Sequence, residues 1–207
     1  MTDSRTAILN NIKKSLTDKS PQFPPSEKFS LPAMDFSKDE CLKQFVDKAA
    51  KAHAEVLQLS SKQSIPDKIS NYLADKSQLV VAETPLLNAL DWTNITAKIS
   101  HNPKDCNEQV AISEARCGIA ETGSVVMCSS KETPTSLNFL PLTEIVCLST
   151  QQIYGSYEQA WPHIHTNENL PRCINFITGP SCTGDIEQEI LWGAHGPKQL
   201  IIILYSD

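Results

Sequence analysis

The chain has 207 residues, 40% of them hydrophobic and 20% charged, with a formal net charge of −6. At roughly 150 residues per domain, this length suits one domain with a sizeable extension, large enough to bury a core without disulfide or metal staples. No run reaches the roughly 20 apolar residues of a membrane span. The first segment, MTDSRTAILNNIKKSL, lacks the apolar stretch of a signal peptide. The expectation is a cytoplasmic protein without a membrane role.

Residues 1–117 carry fifteen basic and fifteen acidic side chains, so the whole excess of acid falls in 118–207, where Lys131, Arg172 and Lys198 stand against nine carboxylates. No basic stripe is interleaved with aromatics, which argues against nucleic acid. The seven cysteines (41, 106, 117, 128, 147, 173, 182) are odd in number and contain no Cys-x-x-Cys pair. That pattern predicts reduced thiols, and no metal site or iron–sulfur cluster held by this chain.

In chain order, Ile8, Leu9, Ile12 and Leu16 give residues 4–17 the pattern of a short amphipathic helix. Residues 20–36 contain four prolines and read as an extended tether, so that 1–36 forms an extension to a domain over 37–207. A longer helix capped by Ser37 or Asp39 is expected to about residue 59, with Leu42, Phe45, Val46, Ala49, His53, Val56 and Leu57 as its stripe and His53 as a packing residue. A short helix at 66–74 and strands at 78–82, 93–100 and 110–113 follow. Residues 114–122 read as a helix or turn closed by glycine. Strands are expected at 124–129, 140–149, 173–178 and 199–205, with helices at 156–165 and near 185–192. Short apolar strands alternating with helices predict an α/β fold with a largely parallel sheet.

All seven glycines lie at or after residue 118, and six fall within 118–123 and 179–196. Glycine permits turns and close approaches that a Cβ forbids, so function is sought in three stretches. In GIAETGSVVM (118–127), Glu121 and Thr122 sit between Gly118 and Gly123 at the mouth of a strand, and the carboxylate could be a nucleophile, a general base or a cap for backbone amides. In ITGPSCTGDIEQEI (177–190), Gly179, Ser181 and Thr183 lie between a strand and an expected helix, whose amino-terminal N–H groups would attract an anion or stabilise a Cys182 thiolate. Asp185 and Glu187 would compete for that helix end. In WGAHGPKQL (192–200), His195 is the one histidine of five embedded in a glycine loop, next to Gly196 and near Lys198, and is the first choice for proton transfer.

GIAETGSVV, ITGPSCTGDIE and GAHGPKQLIIIL, in that order, together with Leu140-Pro141, resemble the LUD domain, and within it the lactate-utilization protein C (LutC/YkgG) family. The resemblance is strong over 108–207, weaker over 38–107 and negligible before residue 36. It implies a three-layer α/β fold similar to the phosphosugar-isomerase/CoA-transferase class (NagB/RpiA/CoA transferase-like). It also implies a part in oxidising L-lactate to pyruvate beside partner proteins that carry iron–sulfur clusters, this chain being the member without clusters. Cys182 stands where the family often has a basic or amide residue, Lys198 where arginine is common, and Thr135 or its neighbours where an arginine often precedes the Leu-Pro. The fixed guanidinium donors of a bidentate carboxylate or phosphate site are thus reduced.

The leading expectation is a non-cluster accessory subunit. The Glu121 turn, the 181–187 loop and His195 are expected to line one cleft at the carboxyl ends of the sheet strands and to hold a small carboxylate or other anion. The alternative is a stand-alone enzyme or ligand-sensing domain acting on a phosphorylated or CoA-linked small acid. A homo-oligomer is compatible with either.

Overall fold

Residues 145–148 and 200–205 carry apolar side chains at every position, so neither face of these segments tolerates water and each has to run through a sheet covered on both sides. The computed structural model, which describes residues 4–17, 36–73, 78–107, 109–164, 170–184 and 190–206, places them there. The strands are β1 (Glu55–Leu59), β2 (Gln78–Val81), β3 (Lys98–Ser100), β4 (Val110–Glu114), β5 (Cys117–Ile119) and β6 (Ser124–Cys128). They continue as β7 (Thr143–Ser149), β8 (Ile153–Tyr154), β9 (Ile174–Ile177), β10 (Cys182–Gly184), β11 (Ile190–Trp192) and β12 (Gln199–Tyr205). The α-helices are α1 (Ser4–Thr17), α2 (Lys38–Lys51), α3 (Ile65–Ile69), α4 (Pro85–Asn88), α5 (Ser136–Phe139) and α6 (Tyr157–Ile164).

The chain divides into two units, Met1–Ala33 and Met34–Asp207. The first contains α1, on which Ile8, Leu9 and Ile12 are exposed. The tether expected at 20–36 lies outside the described residues except for Phe36.

The second unit is built on a six-stranded sheet in the order β1-β12-β7-β4-β2-β3, with every neighbouring pair parallel. Side chains alternate between its faces. Ile145, Cys147, Ile201, Ile203 and Tyr205 meet a core closed by Ile65 and Ile69 of α3 and Leu87 of α4. Val146, Leu148, Leu200, Ile202 and Leu204 meet another, closed by Cys41, Phe45 and Ala49 of α2 and by Val125 and Met127 of β6. The sheet therefore lies between covering layers, as the sequence predicts. One of those layers holds an element the sequence did not announce, a mixed four-stranded sheet in the order β8-β5-β6-β9. Its outer residues Cys117, Ile119 and Val126 pack on Ala160 and Ile164 of α6.

Three expected elements are corrected. Ser37 and Glu40 form the capping box that starts α2, with Glu40 Oε2 accepting from Ser37 N at 2.9 Å. The helix nevertheless stops at Lys51. His53 takes a left-handed φ of 66°, and Glu55–Leu59 pairs in parallel with Ile201–Tyr205, so strand pairing overrides the helical period. His53 is exposed rather than packed on the stripe, its ring edge-on to Trp192 with centroids 5.0 Å apart. Residues 114–122 form the end of β4, then β5 and a turn, rather than a helix. The helix near 185–192 is replaced at its described end by β11, which pairs antiparallel with β10 as Cys182↔Trp192 and Thr183↔Leu191.

Two glycines of the predicted functional stretches are close-packing positions. Gly123 (φ +71°) and Gly179 (φ +77°) lie so near α2 that a Cβ would collide with Ala49 N and Ala52 O respectively. Gly123→Ala is expected to cost about 3 kcal/mol or more in urea unfolding, combining a left-handed backbone with a backbone clash. Gly184→Ala, whose Cβ meets nothing within 4 Å, should stay within about 0.5 kcal/mol of the native chain.

Candidate functional site

The loop after β9 and the loop before β12 are pinned to each other. Ser181 N donates to Pro197 O at 2.9 Å, and Gly193 N donates to Ser181 O at 2.8 Å. A Cβ on Gly196 would stand 3.2 Å from Ser181 Cβ, so this approach too uses the missing side chain. With Asn138 of α5 and Glu144 of β7, Gly179, Ser181, His195 and Gly196 line a cavity of about 240 Å³. The structure thus brings together four of the predicted site residues. A loop that leads directly into a parallel strand lies at that strand's amino end, and the cavity opens there, beside the first residues of β7 and β12. The expected location at the carboxyl ends is corrected for these loops.

Glu144 is the residue that glycine-centred reading missed. It lies 1% exposed between Ala111 of β4 and Leu200 of β12. Burial pushes its carboxyl up to about 8, against the opposing effect of Asn138 Nδ2 donating to Oε1 at 2.8 Å. The group is consequently a neutral acid at pH 7. Its signal in the sequence is a charged residue inside the apolar run LPLTEIVCLS.

The other predicted residues lie elsewhere. Glu121 turns between β5 and β6, and its Oε1 accepts from Tyr157 N, the first residue of α6, at 2.9 Å, a carboxylate at a helix start. Of the alternatives left open for Glu121, this geometry shows the capping contact. Thr122 Oγ1 hydrogen-bonds Ser124 Oγ at 2.7 Å, and Ser124 Oγ hydrogen-bonds Thr178 Oγ1 at 2.5 Å, so hydroxyls tie the 121–124 turn to the residue before Gly179. Gly118 packs where a Cβ would stand 2.7 Å from Leu148 and 2.9 Å from Phe45. Thr183 pairs with Leu191, and its Oγ1 is buried without a partner. Lys198 is exposed, its backbone N donating to Leu142 O at 2.9 Å. Asp185 and Glu187 lie outside the described residues. Among the described residues Cys182–Gly184 and Ile190–Trp192 pair as a hairpin, and residues 185–189, where the expected helix would begin, lie outside the described residues.

A larger crevice lies at the opposite end of the sheet. From β2 the chain passes outward to β3, and from β4 it passes the other way to β7 and β12, so strand order reverses between β2 and β4. Parallel sheets hold ligands outside the carboxyl ends of the strands at such a point. A cleft of about 690 Å³ lies there, lined by Glu83 and Thr84 after β2, Glu114 and Arg116 around the end of β4, and Ser129 and Thr133 after β6. Arg116 is the one cationic side chain among the described lining residues, and its Nε donates to His163 O at 2.9 Å. Sequence reading passed over this guanidinium because no glycine flanks it. Burial pushes the nearby Cys117 thiol up to about 12, which keeps it protonated and unreactive at neutral pH. Among the described residues no group of three or more His, Cys, Asp or Glu is placed to hold a metal ion, and no helix is long and apolar enough to cross a membrane.

Sheet order, covering layers and a switch-point crevice define an α/β protein of the open parallel class. More narrowly, the chain belongs to the LUD domain family, whose pattern matches residues 42–205. It is 39% identical over 102 residues to lactate utilization protein C of Bacillus subtilis (strain 168), a match covering 47% of this chain and 42% of that protein. To the uncharacterized protein YkgG of Escherichia coli (strain K12) it is 29% identical over 157 residues, covering 68% of this chain and 67% of the other. The crystal structure of a DUF162 family protein from Deinococcus radiodurans superposes with a TM-score of 0.61 at 18% identity, over 82% of this chain and 99% of that one, which shows a shared fold.

Because Glu144 keeps its proton in the folded protein from its ordinary value of 4.5 up to about 8, the folded state binds more protons than the unfolded chain in that window. Stability therefore falls as pH rises through it. Glu144→Gln removes this contribution. The variant is expected to be more stable than the native chain by about 2–4 kcal/mol at pH 8, the gap closing toward pH 5. Urea unfolding of both proteins across that range checks it, and parallel pH profiles would refute it.

Proposed function

We propose that this protein serves lactate utilization, as the component without iron–sulfur clusters of a cytoplasmic system that oxidises L-lactate to pyruvate beside cluster-bearing partner proteins. The observation that carries this reading is the 39% identity over 102 residues to a protein named for lactate utilization. The match spans 42% of that relative, so activity, substrate and partners all belong to the proposal. Taking lactate to pyruvate removes two electrons and two protons. In this reading the partners' clusters accept the electrons, and this chain binds and positions a small carboxylate in the cleft between β2 and β4. Arg116 is suited to that task, because a guanidinium held by a backbone carbonyl presents a planar fork to a carboxylate.

Glu121 is a structural cap in this reading, whereas the stand-alone alternative needs its carboxylate as nucleophile or base. Glu121→Gln is expected to cost about 1 kcal/mol of stability and to change activity only a few-fold, whereas a catalytic carboxylate would cost several orders of magnitude. The decisive experiment is an affinity pull-down from the native host grown on L-lactate, with the eluate assayed for iron, acid-labile sulfide and lactate-dependent dye reduction. Iron-bearing partners whose activity disappears when this chain is omitted, and weakens at least tenfold with Arg116→Ala, are the expected result. An iron-free, inactive eluate would overturn the proposal.

A further inference from the structure

The cavity at the amino ends of β7 and β12 combines a buried acid, Glu144, an amide, Asn138, and an aromatic residue, Phe139. Glu144 is 1% exposed, its Oε1 accepts from Asn138 Nδ2 at 2.8 Å, and its neighbours across the sheet, Ala111 and Leu200, are apolar. Phe139, 45% exposed, also lines the cavity, whereas the Phe176 ring, opposite Val126 in register, is turned to Tyr157 of α6 with centroids 5.3 Å apart. Of the lining residues only Glu144 and His195 can carry charge, while Lys198 lines a different cleft with Thr143 and Gln199. No lysine or arginine is among these lining residues.

A buried acid without a counter-ion holds its proton, since ionising it would leave an uncompensated charge in apolar surroundings. An arriving cation reverses that balance by giving the carboxylate a charge-assisted hydrogen bond or ion pair. An aromatic ring at the entrance attracts organic cations in particular. A carboxylate or phosphate ligand would meet the opposite conditions, an acid with no lysine or arginine beside it. The acid excess of residues 118–207 further favours the approach of cations. At about 240 Å³ the space is smaller than the roughly 300 Å³ at which pockets for drug-sized ligands begin.

We propose that this cavity binds a small organic cation, a primary amine or quaternary ammonium of a few carbon atoms, with Glu144 as its counter-ion and Phe139 against its methylene or methyl groups. The site is separate from the cleft between β2 and β4 and does not depend on the lactate reading. Binding exchanges one cation for one proton: the Glu144 O–H bond breaks, the proton passes to the buffer, and the carboxylate pairs with the ammonium. No electrons move.

Titration calorimetry on the full chain with propylammonium and with tetramethylammonium, in two buffers of different ionisation enthalpy, tests the proposal. The expected result is saturable binding of at least one of them at pH 7 with close to one proton released per cation. Affinity should rise about tenfold per pH unit below pH 7.5 and level off above pH 8. Glu144→Gln should abolish binding. Phe139→Leu, a change at an exposed position, should weaken it about three- to tenfold and provides a test that leaves the buried acid in place. Absence of binding by both cations, binding undiminished in Glu144→Gln, or tighter binding of propionate than of propylammonium would overturn the proposal.

Discussion

Gly123 and Gly179 bring two turns against the backbone of α2, at Ala49 and Ala52, with no room for a Cβ at either place. Those turns join β5 to β6 and follow β9, so the contact presses the four-stranded sheet onto the helix. The helix in turn lies on the parallel sheet through Phe45 and Ala49. Phe45 also fills the space that a side chain at 118 would occupy. One helix end and three glycines therefore set the spacing between the two sheets, and the ledge on which Ser181 and His195 sit follows from that spacing.

Much of this architecture is legible in the sequence because it rests on local patterns. The apolar runs at 145–148 and 200–205 announce buried parallel strands, and Ser37 with Glu40 announces the start of α2. What escapes the sequence is decided by distant pairing. Glu55–Leu59 continues the helical stripe of α2 but gains a full ladder beside Ile201–Tyr205. Likewise, Ile190–Trp192 follows acids that suit a helix start, yet pairs back onto Cys182–Gly184. The four-stranded sheet is hidden for the same reason, its strands being two to five residues long and β8 and β9 joining the β5–β6 hairpin across wide separations.

The glycine stretches marked the right neighbourhood for a reason other than the one that drew attention to them. Gly118, Gly123 and Gly179 serve helix and sheet packing, whereas the polar groups with unusual environments are Glu144 and Arg116, neither of which has a glycine beside it. One lies at the amino ends of the parallel strands, the other at the carboxyl ends, so the sheet separates two polar sites. The amino-end cavity is small and holds an acid kept neutral by burial, and the carboxyl-end cleft is larger and sets Arg116 beside Glu83, Glu114 and Glu132. A search of the sequence for acids within apolar strands, rather than for glycine loops, finds the first of them.

The place of β12 in the sheet has a bearing on how the protein is made. It lies between β7 and β1, pairing with both along its length, and its residues enter both principal cores. Of the described strands it is the last to leave the ribosome, yet it occupies an interior position. Until it arrives, β1 has no strand to pair with and β7 presents an open apolar edge. Such an intermediate combines long-range pairing with an unprotected strand, the conditions that slow folding and invite association between nascent chains. The demand on cellular chaperones should accordingly be concentrated in the interval between synthesis of β7 and synthesis of β12.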